Sequence, residues 1–170
     1  DFLRRLMAAK PTPVLMISTL TDAGSDATLT ALELGAIDYI PKPKIGVADG
    51  IKDYAEHILE RLYFAAQVKP SLLTSPPKKA TVKHTSYTHV GTEKIIAVGA
   101  STGGTEAIKT LLLGLPPATP GILITQHMPP GFTRTFAERL NKLTRLRVVE
   151  AKGGERVLPG SVFLAPGGQH

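Results

Sequence analysis

The 170-residue sequence contains no cysteine and no tryptophan. Without cysteine there is no thiol catalysis, no cysteine-based metal site and no disulfide scaffold, and the composition fits a reducing compartment. No apolar run approaches the roughly 20 residues that a membrane helix needs, so membrane insertion is not expected. The opening residues, Asp1-Phe2-Leu3-Arg4-Arg5-Leu6-Met7, hold neither an initiator methionine nor a long apolar signal core. No secretion signal is read there, and the expected location is cytoplasmic. Both ends read as cut, the first inside a helix and the last inside a loop. After Asp53 the chain has no aspartate at all. No internal repeat is found, and no histidine pair has metal-ligand spacing with acidic partners.

What is present suits a soluble globular protein, with 42% hydrophobic and 20% charged residues. That balance excludes a disordered tail and a collagen-like fibre. Twenty Lys+Arg against fourteen Asp+Glu give a net charge of +6. Four of the lysines, Lys69, Lys78, Lys79 and Lys83, lie in one Pro/Ser/Thr-bearing stretch. The basicity therefore reads as a linker property, and no nucleic-acid partner is expected.

The apolar pattern divides the chain. Asp1–Ala9 reads as a helix with Phe2, Leu3, Leu6 and Met7 on one face. Val14–Ile17 is a short continuous apolar run, which suits a strand buried on both faces of a parallel sheet. A helix is expected near Ser25–Leu34, stopped by Gly35 as a left-handed cap. Ala36–Ile40 is a second strand, ended by Pro41-Lys42-Pro43. Asp49 is the expected N-cap of a long helix carrying Ile51, Tyr54, Ala55, Ile58, Leu59, Leu62, Ala65 and Ala66 at helical spacing. Strand, helix, strand, helix predicts a parallel sheet with crossover helices. Residues 67–92 lose this periodicity and read as an interdomain linker.

A second α/β pattern starts at Glu93. Ile95–Val98 reads as a buried strand, Gly99-Ala100-Ser101-Thr102-Gly103-Gly104 as a tight turn, and Ala107, Ile108, Leu111 and Leu112 as a helix face. Ile122–Thr125 is the next strand, followed by Gln126-His127-Met128-Pro129-Pro130-Gly131. Phe132, Phe136 and Leu140 recur at helical spacing. Leu146–Glu150 reads as a third strand, and Val157–Phe163 as a hairpin around Pro159-Gly160.

Gly99-x-Ser101-x-Gly103 matches the strand–turn–helix serine nucleophile pattern. A sharp turn needs small residues, and a side chain at Gly99 or Gly103 is expected to crowd the backbone and block approach to the serine. Backbone N–H groups at the helix start would favour a developing oxyanion. The same glycine-rich turn also suits a phosphate or anion cradle, or a plain tight connection, and the motif alone leaves all three open. His127 lies just past the next strand. Successive parallel strands usually neighbour one another, with their C-terminal ends on one edge. Ser101 and His127 are therefore expected at that edge, where a neutral imidazole suits the role of base. The other reading of His127 is a surface loop histidine. His57 falls on the polar side of a helix, and His84 and His89 fall in the linker. A triad also needs an acid. The carboxylates of the second half are Glu93, Glu106, Glu138, Glu150 and Glu155. Either a glutamate serves or the acid lies beyond His170.

Pro13–Thr21 and Ala31–Pro43 together resemble the later half of a response-regulator receiver domain. Gly99–Gly104 followed by Gln126-His127-Met128-Pro129 resembles the catalytic domain of the chemotaxis protein-glutamate methylesterases. The resemblance covers nearly the whole chain outside the linker, in that family's order of receiver, linker and esterase. It implies the C-terminal half of a receiver (flavodoxin-like) domain over residues 1–66, a linker over 67–92, and the N-terminal part of a parallel-sheet, Rossmann-like esterase domain over 93–170.

By this resemblance Ser101 is the nucleophile, His127 is the base, and the third member is an aspartate beyond His170. Lys42 matches the lysine that contacts the phosphoryl group of a receiver, with Pro43 following across a bond that is usually cis. Ser18 matches the hydroxyl residue that moves toward the phosphate, and Tyr39 the aromatic switch position. The acidic pocket and phospho-acceptor aspartate have no counterpart in this sequence, so no phosphorylation or magnesium binding is expected of the segment itself. The implied function is hydrolysis of glutamate methyl esters on methylated chemoreceptors, with deamidation of receptor glutamines. A chemotaxis histidine kinase is the implied phosphodonor. Catalysis needs no cofactor, Mg2+ serving only receiver phosphorylation in the full-length protein, and the segment alone is expected to be inactive. Two other classes compete: a receiver joined to a phosphate- or anion-binding module without catalysis, and a general α/β-hydrolase. The serine follows the first strand after the linker, which argues against the hydrolase.

Overall fold

The computed structural model describes residues 2–19, 21–42, 50–69 and 94–169. Several sequence expectations fall outside the described residues: the Asp49 cap, the Lys42–Pro43 bond, His84, His89, Glu93 and nearly all of the 67–92 linker. The chain divides into two compact units, Asp1–Pro76 and Pro77–His170.

The first unit runs α1 (Phe2–Ala9), β1 (Leu15–Ser18), α2 (Asp22–Glu33), β2 (Asp38–Pro41) and α3 (Gly50–Gln67). The strands pair in parallel, from Leu15 opposite Asp38 to Ser18 opposite Pro41. Thr21 caps α2, its hydroxyl accepting from Gly24 N at 3.1 Å. At the other end Gly35 takes φ 102°. There Ala36 N donates to Ala31 O and Gly35 N to Leu32 O, each at 3.0 Å. This is the paired-carbonyl stop that the sequence placed at Gly35. Leu29, Leu32, Tyr39 and Ile40 form the core with Ala65 of α3.

One expectation is corrected in this unit. β1 is not buried on both faces, because Ile17 is 55% exposed. The described sheet has two strands, so β1 has a neighbour on one side only. α3 keeps its helical spacing, yet Leu59 and Leu62 are exposed together with Tyr63 and Phe64.

The second unit runs β3 (Ile95–Ala100), α4 (Gly104–Leu113), β4 (Gly121–Gln126), α5 (Phe132–Leu143), β5 (Arg147–Glu150) and β6 (Ser161–Leu164). Its sheet has the order β3-β4-β6-β5, and every pairing is parallel. β6 is buried at all four positions, as a central strand covered on both faces should be. α4 buries Ile108 and Leu112, and α5 buries Phe132, Phe136, Ala137 and Leu140. The stripe read from Phe132, Phe136 and Leu140 is thus the packed face of α5.

The expected hairpin at Val157–Phe163 is not there. Residues 155–158 are not strand, and Pro159-Gly160 turns the chain into β6, which runs parallel to both neighbours. Gly160 has φ 78° and its N–H bonds Thr119 O at 2.7 Å. The turn therefore anchors to the loop before β4 and does not fold back on its own strand. The buried-strand reading of Ile95–Val98 is also corrected: Ile95 is 53% exposed and Ile96 37%. β3 is an edge strand of the described sheet, with β4 as its sole neighbour there.

Candidate active site

Parallel pairing of β3 and β4 sets Ile95 opposite Gly121 and Ala100 opposite Gln126. The ladder continues one bond further, His127 N donating to Ala100 O at 3.1 Å. Ser101 and His127 are therefore the next residues on two adjacent strands, at the C-terminal edge where the sequence placed them. Both are exposed.

Ser101 enters a closed turn. Its carbonyl accepts from Gly104 N at 2.8 Å, and α4 begins at Gly104. Gly103, at the N-cap, sits in the left-handed region at φ 73° and supplies no side-chain cap. The helix thus presents an N-terminus without a competing side chain to the serine turn, an arrangement that favours negative charge.

The glycines carry different demands from those the motif suggested. A Cβ on Gly99 would meet only Thr125 Oγ1, at an ordinary 3.6 Å, so no crowding arises there. A Cβ on Gly103 would meet nothing within 4 Å, and its demand is the positive φ. The sterically obligatory glycine is Gly104, where a Cβ would lie 2.7 Å from Ala100 Cβ and overlap Gln126 Oε1. The doubled Gly103-Gly104 was the available signal: one glycine for conformation, one for space.

Gln126 was not singled out from the sequence. Its Nε2 donates to Ser101 O at 2.9 Å and reaches His127 O at 3.4 Å.

Three described carboxylates of this half are engaged with other partners. Glu106 pairs with Lys109 at 2.8 Å. Glu150 accepts from Thr133 Oγ1 at 2.5 Å and faces Arg134 Nε at 3.9 Å. Glu155 accepts from Lys152 N at 2.6 Å, and such backbone bonds hold its carboxyl below the ordinary range. Glu138 is exposed on α5. Among the described residues, none of these glutamates supplies the acid of a triad. Thr133, fully buried, also accepts from Gly167 N at 3.0 Å. Gly167 packs so closely on the Met128–Pro129 backbone that a Cβ would come within 2.6 Å of Met128 O. The loop after β6 thus braces the loop that follows His127. A cavity of about 560 Å³ between α5 and β5, lined by Arg134, Glu138, Asn141, Glu150 and Lys152, includes neither Ser101 nor His127.

In the first unit Ser18 closes β1 and its Oγ donates to Gly24 O at 3.2 Å. Lys42 is exposed just past β2, and its N–H donates to Ser18 O at 2.6 Å. Tyr39 is 6% exposed inside β2. Burial pushes its phenol far above the ordinary range, the Asp38 carboxylate adds to this, and Arg61 opposes it. The Arg61–Asp38 ion pair, both members largely buried, ties α3 to β2. It joins residues far apart in sequence, and no local pattern announced it. Among the described residues no three His, Asp or Glu side chains gather into a metal-holding group. The divalent cation implied for a receiver finds no donor set among them. No described helix is long and apolar enough to cross a membrane.

Residues 96–170 match the family model of the CheB methylesterase. Over 99% of its length the chain is 56% identical to protein-glutamate methylesterase/protein-glutamine glutaminase 2 of Pseudomonas aeruginosa, covering 48% of that protein. It is 55% identical, over its full length, to the protein-glutamate methylesterase/protein-glutamine glutaminase of Photorhabdus laumondii, again covering 48%. A crystal structure of the Thermotoga maritima CheB methylesterase catalytic domain is 47% identical, with a TM-score of 0.42 over 44% of this chain and 40% of that one. The chain spans about half the length of the curated relatives it matches. Residues 96–170 are thus similar to the CheB methylesterase, and nearly the whole chain is similar to proteins named protein-glutamate methylesterase/protein-glutamine glutaminase.

Proposed function

We propose that the complete protein hydrolyses glutamate methyl esters on chemoreceptors, and deamidates receptor glutamines, with Ser101 as nucleophile. The observation that carries this reading is the strand pairing that brings Ser101 and His127 to adjacent strand ends, joined by the His127 N–Ala100 O bond. Ser101 Oγ attacks the ester carbonyl carbon while His127 takes the hydroxyl proton. The oxyanion forms beside the N-terminus of α4. Collapse expels the methoxy group, which leaves as methanol with the proton from His127. Water, losing a proton to His127, then attacks the acyl-enzyme and frees Ser101 and a glutamate. A glutamine follows the same course and releases ammonia. The acid that orients His127 is assigned to the part of the protein outside this chain.

The first unit acts in this reading as receiver, with Ser18, Tyr39 and Lys42 as its switch residues and a histidine kinase as phosphodonor. Phosphorylation then relieves a block on a bulky receptor substrate. Two measurements test the reading. A fluorophosphonate should label Ser101 covalently, whereas a serine that only donates to a bound phosphate stays unlabelled. Removing the receiver and linker, so that the complete protein starts near Glu93, should raise turnover on receptor more than on a small ester. Equal turnover with and without them would place the regulation elsewhere.

A further inference from the structure

We infer that Gln126 is a positioning residue, one carboxamide that fixes the backbone on both sides of the reacting pair. The inference rests on the nucleophile reading above and deepens it. Nε2 has two N–H groups, and two carbonyls stand before it: Ser101 O at 2.9 Å and His127 O at 3.4 Å. The first bond crosses the seam between β3 and β4, joining residues 25 apart in sequence. It falls on the same carbonyl that receives Gly104 N at 2.8 Å, so the serine turn is tied both to its helix and to the histidine strand.

The other end of the amide shows what this arrangement costs. Gln126 Oε1 is buried and has no hydrogen-bond partner. A buried acceptor left unpaired is destabilising. Turning the amide over would not help, because it would set Oε1 against two carbonyl oxygens. Gly104 completes the fit, since any side chain there would occupy the place of Oε1. The same local features therefore require a glutamine at 126 and a glycine at 104. Asparagine is one methylene too short to span the seam. Glutamate would set a charge against two carbonyls, and methionine would fill the space without donating.

The reacting atoms need placement to within a fraction of an ångström, and a displacement of about 1 Å can cost a hundredfold in rate. In the complete protein Gln126→Met should lower kcat about ten- to a hundredfold with KM within about twofold. Labelling of Ser101 by a fluorophosphonate should slow in parallel. Gln126→Glu should lose more at neutral pH and recover relative to the parent as the pH falls, because a protonated carboxyl regains one donor. A purely structural side chain would show no such recovery. Parental kcat in Gln126→Met, or a loss carried entirely by KM, overturns the inference. Backbone hydrogen exchange at Ser101–Gly104 supplies a readout that does not depend on activity. It should accelerate in Gln126→Met while Ile122 and Ile124 in β4 keep their protection, and unchanged exchange in the turn overturns the inference whatever Ser101 does. Retained turnover in Ser101→Ala, with accelerated exchange in Gln126→Met, would instead overturn the nucleophile reading and leave the tie standing.

Discussion

The two units use one backbone device to different ends. In each, parallel strands bring residues distant in sequence to one edge, and the residue after the second strand donates its N–H back across the seam. Lys42 N reaches Ser18 O at 2.6 Å in the first unit, and His127 N reaches Ala100 O at 3.1 Å in the second. The side chains then diverge. In the first unit the Ser18 hydroxyl is turned onto Gly24 O, and Tyr39 is buried beside the Asp38–Arg61 pair. In the second, Ser101 and His127 both face solvent, and the polar contacts that hold them are made by backbone and by Gln126. Register decides which residues meet at an edge. Local packing decides whether their side chains remain available for chemistry.

The sharpest way to break this comparison is to remove the group that the second unit keeps available. Ser101→Ala in the complete protein should cut ester hydrolysis by roughly three orders of magnitude or more, with the fold intact. In the proposed mechanism Oγ is the attacking atom, and an exposed turn serine contributes little packing. A folded Ser101→Ala protein with near-parental turnover would remove the nucleophile from the scheme.

Next in size is a substitution that tests packing in each unit. Arg61→Met in the first should destabilise by about 3 kcal/mol, because it leaves the Asp38 carboxylate buried without its cation. Denaturant midpoints measure this, and a midpoint equal to the parent's would mean that α3 is not held to β2 by the pair. In the second unit Gly104→Ala should cost about 1–3 kcal/mol. It should also slow turnover, because Ala100 Cβ and the Gln126 amide must both yield. Activity retained at the parental melting temperature would show that the turn can relax, against the close approach seen here.

The smallest effect is expected at Gly99→Ala. The added methyl meets only Thr125 Oγ1 at 3.6 Å, so stability should stay within about 0.5 kcal/mol of the parent. Thermal melts of the two alanine variants side by side would distinguish a demand for small residues along the whole motif from a demand at Gly104 alone. Equal losses at both positions would restore the motif's original reading.

Much of the architecture was legible because it is written locally. Apolar runs bounded by Gly and Pro marked β1 to β4 to within about two residues, as boundaries usually are. The stripe of Phe132, Phe136 and Leu140 marked the packed face of α5, and Gly35 marked the end of α2. The edge shared by Ser101 and His127 also followed, because β3 and β4 are consecutive strands joined by one helix and obey the rule for such units. Where a connection departs from that rule, sequence reasoning failed. β5 and β6 are neighbours and parallel without a helix between them, and β6 enters beside β4 although β5 precedes it in the chain. A Pro-Gly turn looks the same whether the chain folds back on itself or starts a new parallel strand.

What the sequence determined by itself was periodicity, punctuation and the chemical types available: one serine turn, one histidine loop, and no aspartate after Asp53. These depend on neighbours a few residues away, and so they survive in a string of letters. Tertiary structure alone decided which glycine must be glycine, that Gln126 reaches Ser101, and that Arg61 neutralises Asp38. Each depends on atoms brought within about 3 Å from residues more than 20 apart. Such contacts exist only after the sheets have fixed their strand order and register, and no local pattern encodes them.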